Sequence, residues 1–336
     1  MAGAWSTNCC GWCRCRNGAA VKGVPGHAEP AMVAQPAASA GVAPTLEALI
    51  ALRALAGARH PVGRGLVGMH GAAASSLRGR GMEYAESREY AAGDDARHID
   101  WRLTARSGKP HTKLFQAERE RLTLVVADTA PVLYFGTRVR FKSVQAARVG
   151  AVMAWLAARD GDRIAALRGS LREGPMPPLA GTRGALRVLD TLVRWYTRPP
   201  EEDAGLVTAL THALRVAGAG TRVCVLADPA SVLAVADAQW AALGRRHRVH
   251  AVLLTDPLEC EPPAITLPLA VAGGRLDVPL ATARVRQRWL QVFAGTRDAA
   301  LDMLRRHGIH GMVVSSEAGG EDWWRALATP RRGGAR

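Results

Sequence analysis

Between Arg78 and Arg121 the chain crowds acids, bases and single aromatics into one stretch, RGRGMEYAESREYAAGDDARHIDWRLTARSGKPHTKLFQAERER. Asp94, Asp95, His98 and Asp100 supply hard oxygens and an imidazole, the donors of a divalent-metal site or an acid–base pair. Arg88, Arg97, Arg102 and Arg106 are interleaved with them and favour another chemistry, in which salt bridges and backbone N–H groups neutralise the carboxylates. Trp101 is expected as an anchor packed between this segment and the rest of the fold. Three further acids close apolar runs: Asp128 follows LTLVVA, Asp228 follows RVCVLA, and Asp256 stands just past Val249–Leu254. In an open α/β sheet that edge is where ligands bind. The residues after Asp128 are Thr129, Ala130, Pro131 and Val132, so the second and fourth positions offer no side-chain oxygen to a cation. Asp128 is therefore expected to cap backbone N–H groups.

Familiar catalytic signatures are missing. Gly63, Gly65 and Gly68 spell GxGxxG, but no strand precedes them, so a dinucleotide site is not expected. Neither a phosphate-binding GxxxxGK[ST] nor a GxSxG nucleophile turn occurs. No cofactor is expected.

Regular elements must position these residues. Leu46, Leu49, Ile50, Leu52 and Leu55 form one helical stripe, with Thr45 as N-cap and Gly57 as stop. Tyr84–Tyr90 alternates weakly, Gly93-Asp94-Asp95 is a turn, and Ile99–Ala105 and Thr112–Ala117 are expected as short strands or turns. From Leu122 the pattern becomes strand–helix alternation. Strands are expected at Leu122–Ala127, Asp162–Leu167, Arg222–Ala227, Val249–Leu254 and Gly311–Val314. Helices are expected at Phe141–Arg159, Arg183–Tyr196, Leu206–Ala217, Ser231–Arg246, Thr282–His307 with a break near Gly295, and from Glu321. This pattern predicts an α/β fold, doubly wound around a mostly parallel sheet, with an N-terminal helix and a charged small-strand segment. The expected divisions are a disordered leader at 1–43, the helix and charged segment at 44–121, the sheet domain at 122–328, and a basic tail at 329–336.

Composition narrows the classes. The chain has 336 residues, 48% hydrophobic and 5% aromatic, so its core must be built mainly from Ala, Val and Leu. Its 44 Lys and Arg against 29 Asp and Glu give a formal charge of +15. The lysines are Lys22, Lys109, Lys113 and Lys142 alone, and the arginines are spread without a basic block, so nucleic acid is not an expected partner. No apolar run reaches the roughly 18 residues of a membrane span, and the opening MAGAWSTNCCGWCRCRNGAA lacks the uninterrupted apolar core expected of a signal peptide. A cytoplasmic protein is expected. Cys9, Cys10, Cys13 and Cys15 lack a second ligand pair at zinc-finger spacing, and Met32 offers a later start. Cys224 and Cys260 are expected as small core or surface residues.

The run REYAAGDDARHIDWRLTAR, the strand LTLVVAD and the later TDPLECEPP resemble the domain of unknown function 58 family. The residues carrying the first motif are Arg88, Tyr90, Gly93, Asp94, Asp95, Arg97, Ile99, Asp100, Trp101, Ala105 and Arg106; Asp256, Pro257, Leu258 and Glu259 carry the second. The resemblance implies a von Willebrand factor A-like domain, and an adaptor role beside a MoxR-type AAA+ ATPase and other A-like proteins in chaperone-like remodelling. A-like domains of the family often carry D-x-S-x-S at the first strand and an SD pair after the middle one. Here DTAPV and Ala227-Asp228 stand in those places, which makes Asp128 and Asp228 degenerate metal-site positions with no metal expected. The leading expectation is a non-enzymatic binding protein. A metal-dependent hydrolase using the acidic motif is the alternative, and nucleic-acid binding through the arginine excess is the weaker one.

Overall fold

The computed structural model describes residues 41–57, 82–91, 93–117, 121–271, 274–319 and 323. They fall in two compact units, Met1–Ala58 with Arg121–Arg336, and Arg59–Glu120. The larger unit begins with α1 (Leu46–Ala51) and α2 (Arg53–Gly57). Thr45 caps α1 as expected, its hydroxyl accepting from the Ala48 N–H at 3.3 Å. Leu49, Leu52 and Ala56 are buried, and the Leu49 carbonyl accepts from the Trp155 indole at 3.1 Å. Their apolar stripe places these helices with the sheet unit and not with the charged segment.

The smaller unit is built on strands β1 (Met82–Glu89) and β2 (His111–Ala117), paired antiparallel with an irregularity between Tyr84 and Glu86; helix α3 (Trp101–Ser107) lies between them in sequence. The helix corrects the expectation of a strand or turn at Ile99–Ala105. Ile99, Trp101 and Leu103 alternate like a strand, but Asp100 caps the following turn and Gly108, at φ +72°, closes it left-handed.

In the larger unit β3 (Leu122–Ala127) is followed by α4 (Lys142–Arg159), β4 (Arg163–Arg168), β5 (Leu179–Ala180), α5 (Gly181–Tyr196) and α6 (Gly205–Val216). Then come β6 (Arg222–Ala227), α7 (Pro229–Leu233), α8 (Asp237–Arg246), β7 (Arg248–Thr255) and α9 (Pro257–Cys260). The hairpin β8 (Thr266–Val271) and β9 (Gly274–Pro279), α10 (Ala283–Arg306) and β10 (His310–Ser315) complete the described elements. The central sheet has the order β10-β7-β6-β3-β4-β5, parallel except for β5 against β4. Both faces are covered. Val125, Ala127, Cys224 and Leu226 face α4 and α5, while Leu124, Val126, Val223 and Val225 face α6, α8 and the end of α10. The doubly wound α/β expectation is met.

Three details differ from the sequence reading. The Ser231–Arg246 helix is two helices, α7 and α8. Gly295 does not break α10, which runs continuously over Ala283–Arg306; a single interior glycine costs a helix only about 1 kcal/mol. The β8–β9 hairpin and the one-turn α9 were not anticipated. The expected leader through residue 40, its cysteines, the Gly63–Gly68 pattern, the helix from Glu321 and the 329–336 tail lie outside the described residues, apart from Trp323, which is buried.

The strand order fixes where a site can form. The chain leaves β3 toward β4 on one side and returns to β6 on the other. This topological switch point lies at the carboxyl ends of β3 and β6, where Asp128 and Asp228 stand, and in open α/β sheets such points are where ligands bind.

Candidate functional site

Four acids meet at the carboxyl edge, and each has both oxygens engaged. Asp128 accepts from the N–H groups of Ala130 (3.0 Å) and Asp228 (3.2 Å), the capping role its loop predicts. Asp228 caps α7 through Ala230 N–H (2.9 Å) and accepts from Lys142 Nζ at 2.7 Å. Glu259 accepts from the same Nζ at 2.6 Å and from Asp256 N–H at 2.8 Å. Asp256 caps α9 through Leu258 N–H (3.0 Å) and takes Thr137 N–H (3.0 Å) and Ser316 Oγ (2.7 Å); the Thr137 hydroxyl also donates to it. The D-P-L-E sequence is thus a capping box, with Asp256 and Glu259 holding each other's backbone.

Lys142 is the residue that sequence reasoning missed. It is the first residue of α4 and 0% exposed. A lysine in the first turn opposes the helix dipole, which favours acids there, so its position was itself a signal of a dedicated partner. Burial alone would lower its pKa, but Asp228 and Glu259 outweigh that and hold the ammonium well above the ordinary lysine range. It therefore cannot act as a neutral amine. Burial raises Asp128 from 3.8 to about 6. Tyr196 donates to the Asp128 carbonyl at 2.9 Å from the helix side, and burial among acids drives its phenol pKa well up.

A divalent cation does not fit this arrangement. One carboxylate oxygen of Asp228 and one of Glu259 are bridged by the Lys142 ammonium, and their other oxygens serve backbone N–H groups. Thr129, the hydroxyl nearest Asp128 in sequence, donates to Asp203 at 3.1 Å.

The charged segment forms a second constellation in the smaller unit. Arg88 pairs with Asp94 at 2.7 Å, the Tyr90 hydroxyl donates to the Asp94 carbonyl at 3.1 Å, and Gly93 supplies the turn at φ +107°. Asp95 accepts from Arg97 N–H at 3.0 Å and caps a 3-10 turn, Ala96–His98. Asp100 accepts from Leu103 N–H and from the Ser87 hydroxyl, both at 3.1 Å. The Leu103 bond, with help from Ser87, draws the Asp100 pKa below its ordinary value. Caps, the Arg88 ion pair and the Ser87 hydroxyl thus engage the three carboxylates. Trp101, the first residue of the helix that Asp100 caps, is 71% exposed. Arg97, Arg102 and Arg106 are exposed beside it in sequence.

The chain is 29% identical over 204 residues to the uncharacterized proteins Mb1516 of Mycobacterium bovis and Rv1480 of Mycobacterium tuberculosis strain H37Rv. The match covers 59% of this chain and 62% of each relative, so the chain spans less than two thirds of their length. The family described as protein of unknown function DUF58 matches residues 86–300, from Glu86 in β1 through the whole switch point to Ala300 in α10. With more than half of its residues inside that match, the chain belongs to the DUF58 family.

Proposed function

We propose that this protein is a non-enzymatic adaptor that docks a partner protein through its charged segment. Exposed Trp101 carries the reading: an indole 71% open to water, fixed at the start of a capped helix, with arginines around it in sequence. Trp and Arg are the side chains that dominate protein–protein hot spots, and a rigid helix lowers the entropy cost of presenting them. The carboxylates that might have served catalysis instead hold the scaffold that presents this face.

The resemblance of the motif supports a MoxR-type AAA+ ATPase as partner, with other A-like proteins or the ATPase's client in the same assembly, in a cytoplasmic remodelling system. The exposed arginines call for an acidic surface on that partner. Among the described residues no helix is long and apolar enough to cross a membrane. Co-purification of the chain with such an ATPase, in ATP and in ADP, tests the reading. Wild type is expected to be retained, and Arg97→Ala with Arg102→Ala to be lost. Retention of both proteins alike would count against the docking face, and absence of any association against the adaptor role.

A further inference from the structure

We propose that the Lys142 ammonium is the resident cation of the carboxyl edge, so that this edge works without a divalent metal. The proposal stands apart from the choice of partner above. At the switch point the two strand-end acids and Glu259 are buried close together, with water largely excluded. Such a group of carboxylates needs a cation. A divalent ion would require several oxygens with lone pairs aimed at one point. Here Nζ stands 2.7 Å from Asp228 and 2.6 Å from Glu259, hydrogen-bond lengths that leave no room for an ion between them.

The tethered cation differs from a metal in three ways. Its charge is single, so one ammonium is balanced against Asp228 and Glu259 with Asp128 close by. It cannot be removed by chelation. It also has no open coordination position, so an acidic residue from a partner could not be bridged to this edge as it would be through a metal. What Lys142 does supply is a lock. It ties the first turn of α4 to the turns after β6 and β7, and Thr137, five residues earlier, ties the same loop to Asp256. The three loops of the switch point are thereby held as one piece.

The proposal is tested by titrating the purified chain with manganous ion, reading free ion by electron paramagnetic resonance and unfolding by calorimetry. Wild type is expected to take up no stoichiometric ion and to melt at the same temperature in manganous ion and in EDTA. Uptake of one ion per chain that disappears in Asp228→Asn would overturn the proposal. In a second arm, Lys142→Met keeps the aliphatic volume and removes the charge, and its melting temperature should fall by roughly 10 °C. Manganous ion should restore part of that loss in the variant while leaving wild type unmoved. A variant melting like wild type would also overturn the proposal. If Lys142→Met fails to fold, the wild-type titration still decides.

Discussion

Asp128 shows how position sets the properties of a side chain here. It is 1% exposed at the end of the central strand, its carboxylate bonded to two backbone N–H groups and the Ser231 side chain, with no cation bonded to it. Burial therefore lifts its pKa from 3.8 to about 6. The folded state holds this proton more tightly than the unfolded chain does. The stabilising contribution is complete below about pH 4 and is lost as pH rises through 6. Relative to Asp128→Asn, wild type should lose on the order of 3 kcal/mol of stability between pH 4 and 7, measured by denaturant unfolding across that range. A difference independent of pH would mean that Asp128 is not buried as described. Asp128, Asp228 and Asp256 were legible in the sequence, because acids ending apolar runs have a local signature, whereas Glu259 came only through the resemblance of the D-P-L-E run to the family. Lys142 was legible only as a cation misplaced at a helix start, since its two acidic partners lie 86 and 117 positions away and no local pattern encodes them.

At the scale of elements, the loop from Gly136 to Phe141 does the positioning. A Cβ on Gly136 would lie 2.2 Å from the Arg140 carbonyl oxygen, so the loop closes only around glycine. Gly136→Ala must push the two strands of the loop apart, moving Thr137 off Asp256 and Lys142 off its acids. A cost of about 1–3 kcal/mol is expected, read from the urea midpoint. An unchanged midpoint would show that the loop does not set the site. The same scale explains what the sequence could and could not reveal. β3 and β6 were read with correct ends because buried parallel strands are unbroken apolar runs. Helix α3 was misread because three alternating apolar residues imitate a strand, and the deciding feature is one capping bond from Asp100. The β8–β9 hairpin, exposed along much of its length, has no core face to stamp a pattern on its sequence.

At the scale of the molecule, the chain joins a sheet unit, sealed at its carboxyl edge by an internal cation, to a smaller unit that presents an indole and arginines. A tryptophan usually repays burial, and sequence cannot tell burial in the fold from burial in a complex, so the role of Trp101 is not legible in the sequence. The formal charge of +15 sets the long-range part of recognition, so association with an acidic partner should weaken as salt is raised. Calorimetric titration of a MoxR-type ATPase with wild type and with Trp101→Ala, both first shown to melt at the same temperature, tests the adaptor account most directly. The account predicts binding by wild type and a loss of about tenfold or more in the variant. Equal affinity of the two proteins, or no heat of binding from wild type in either nucleotide, would contradict it.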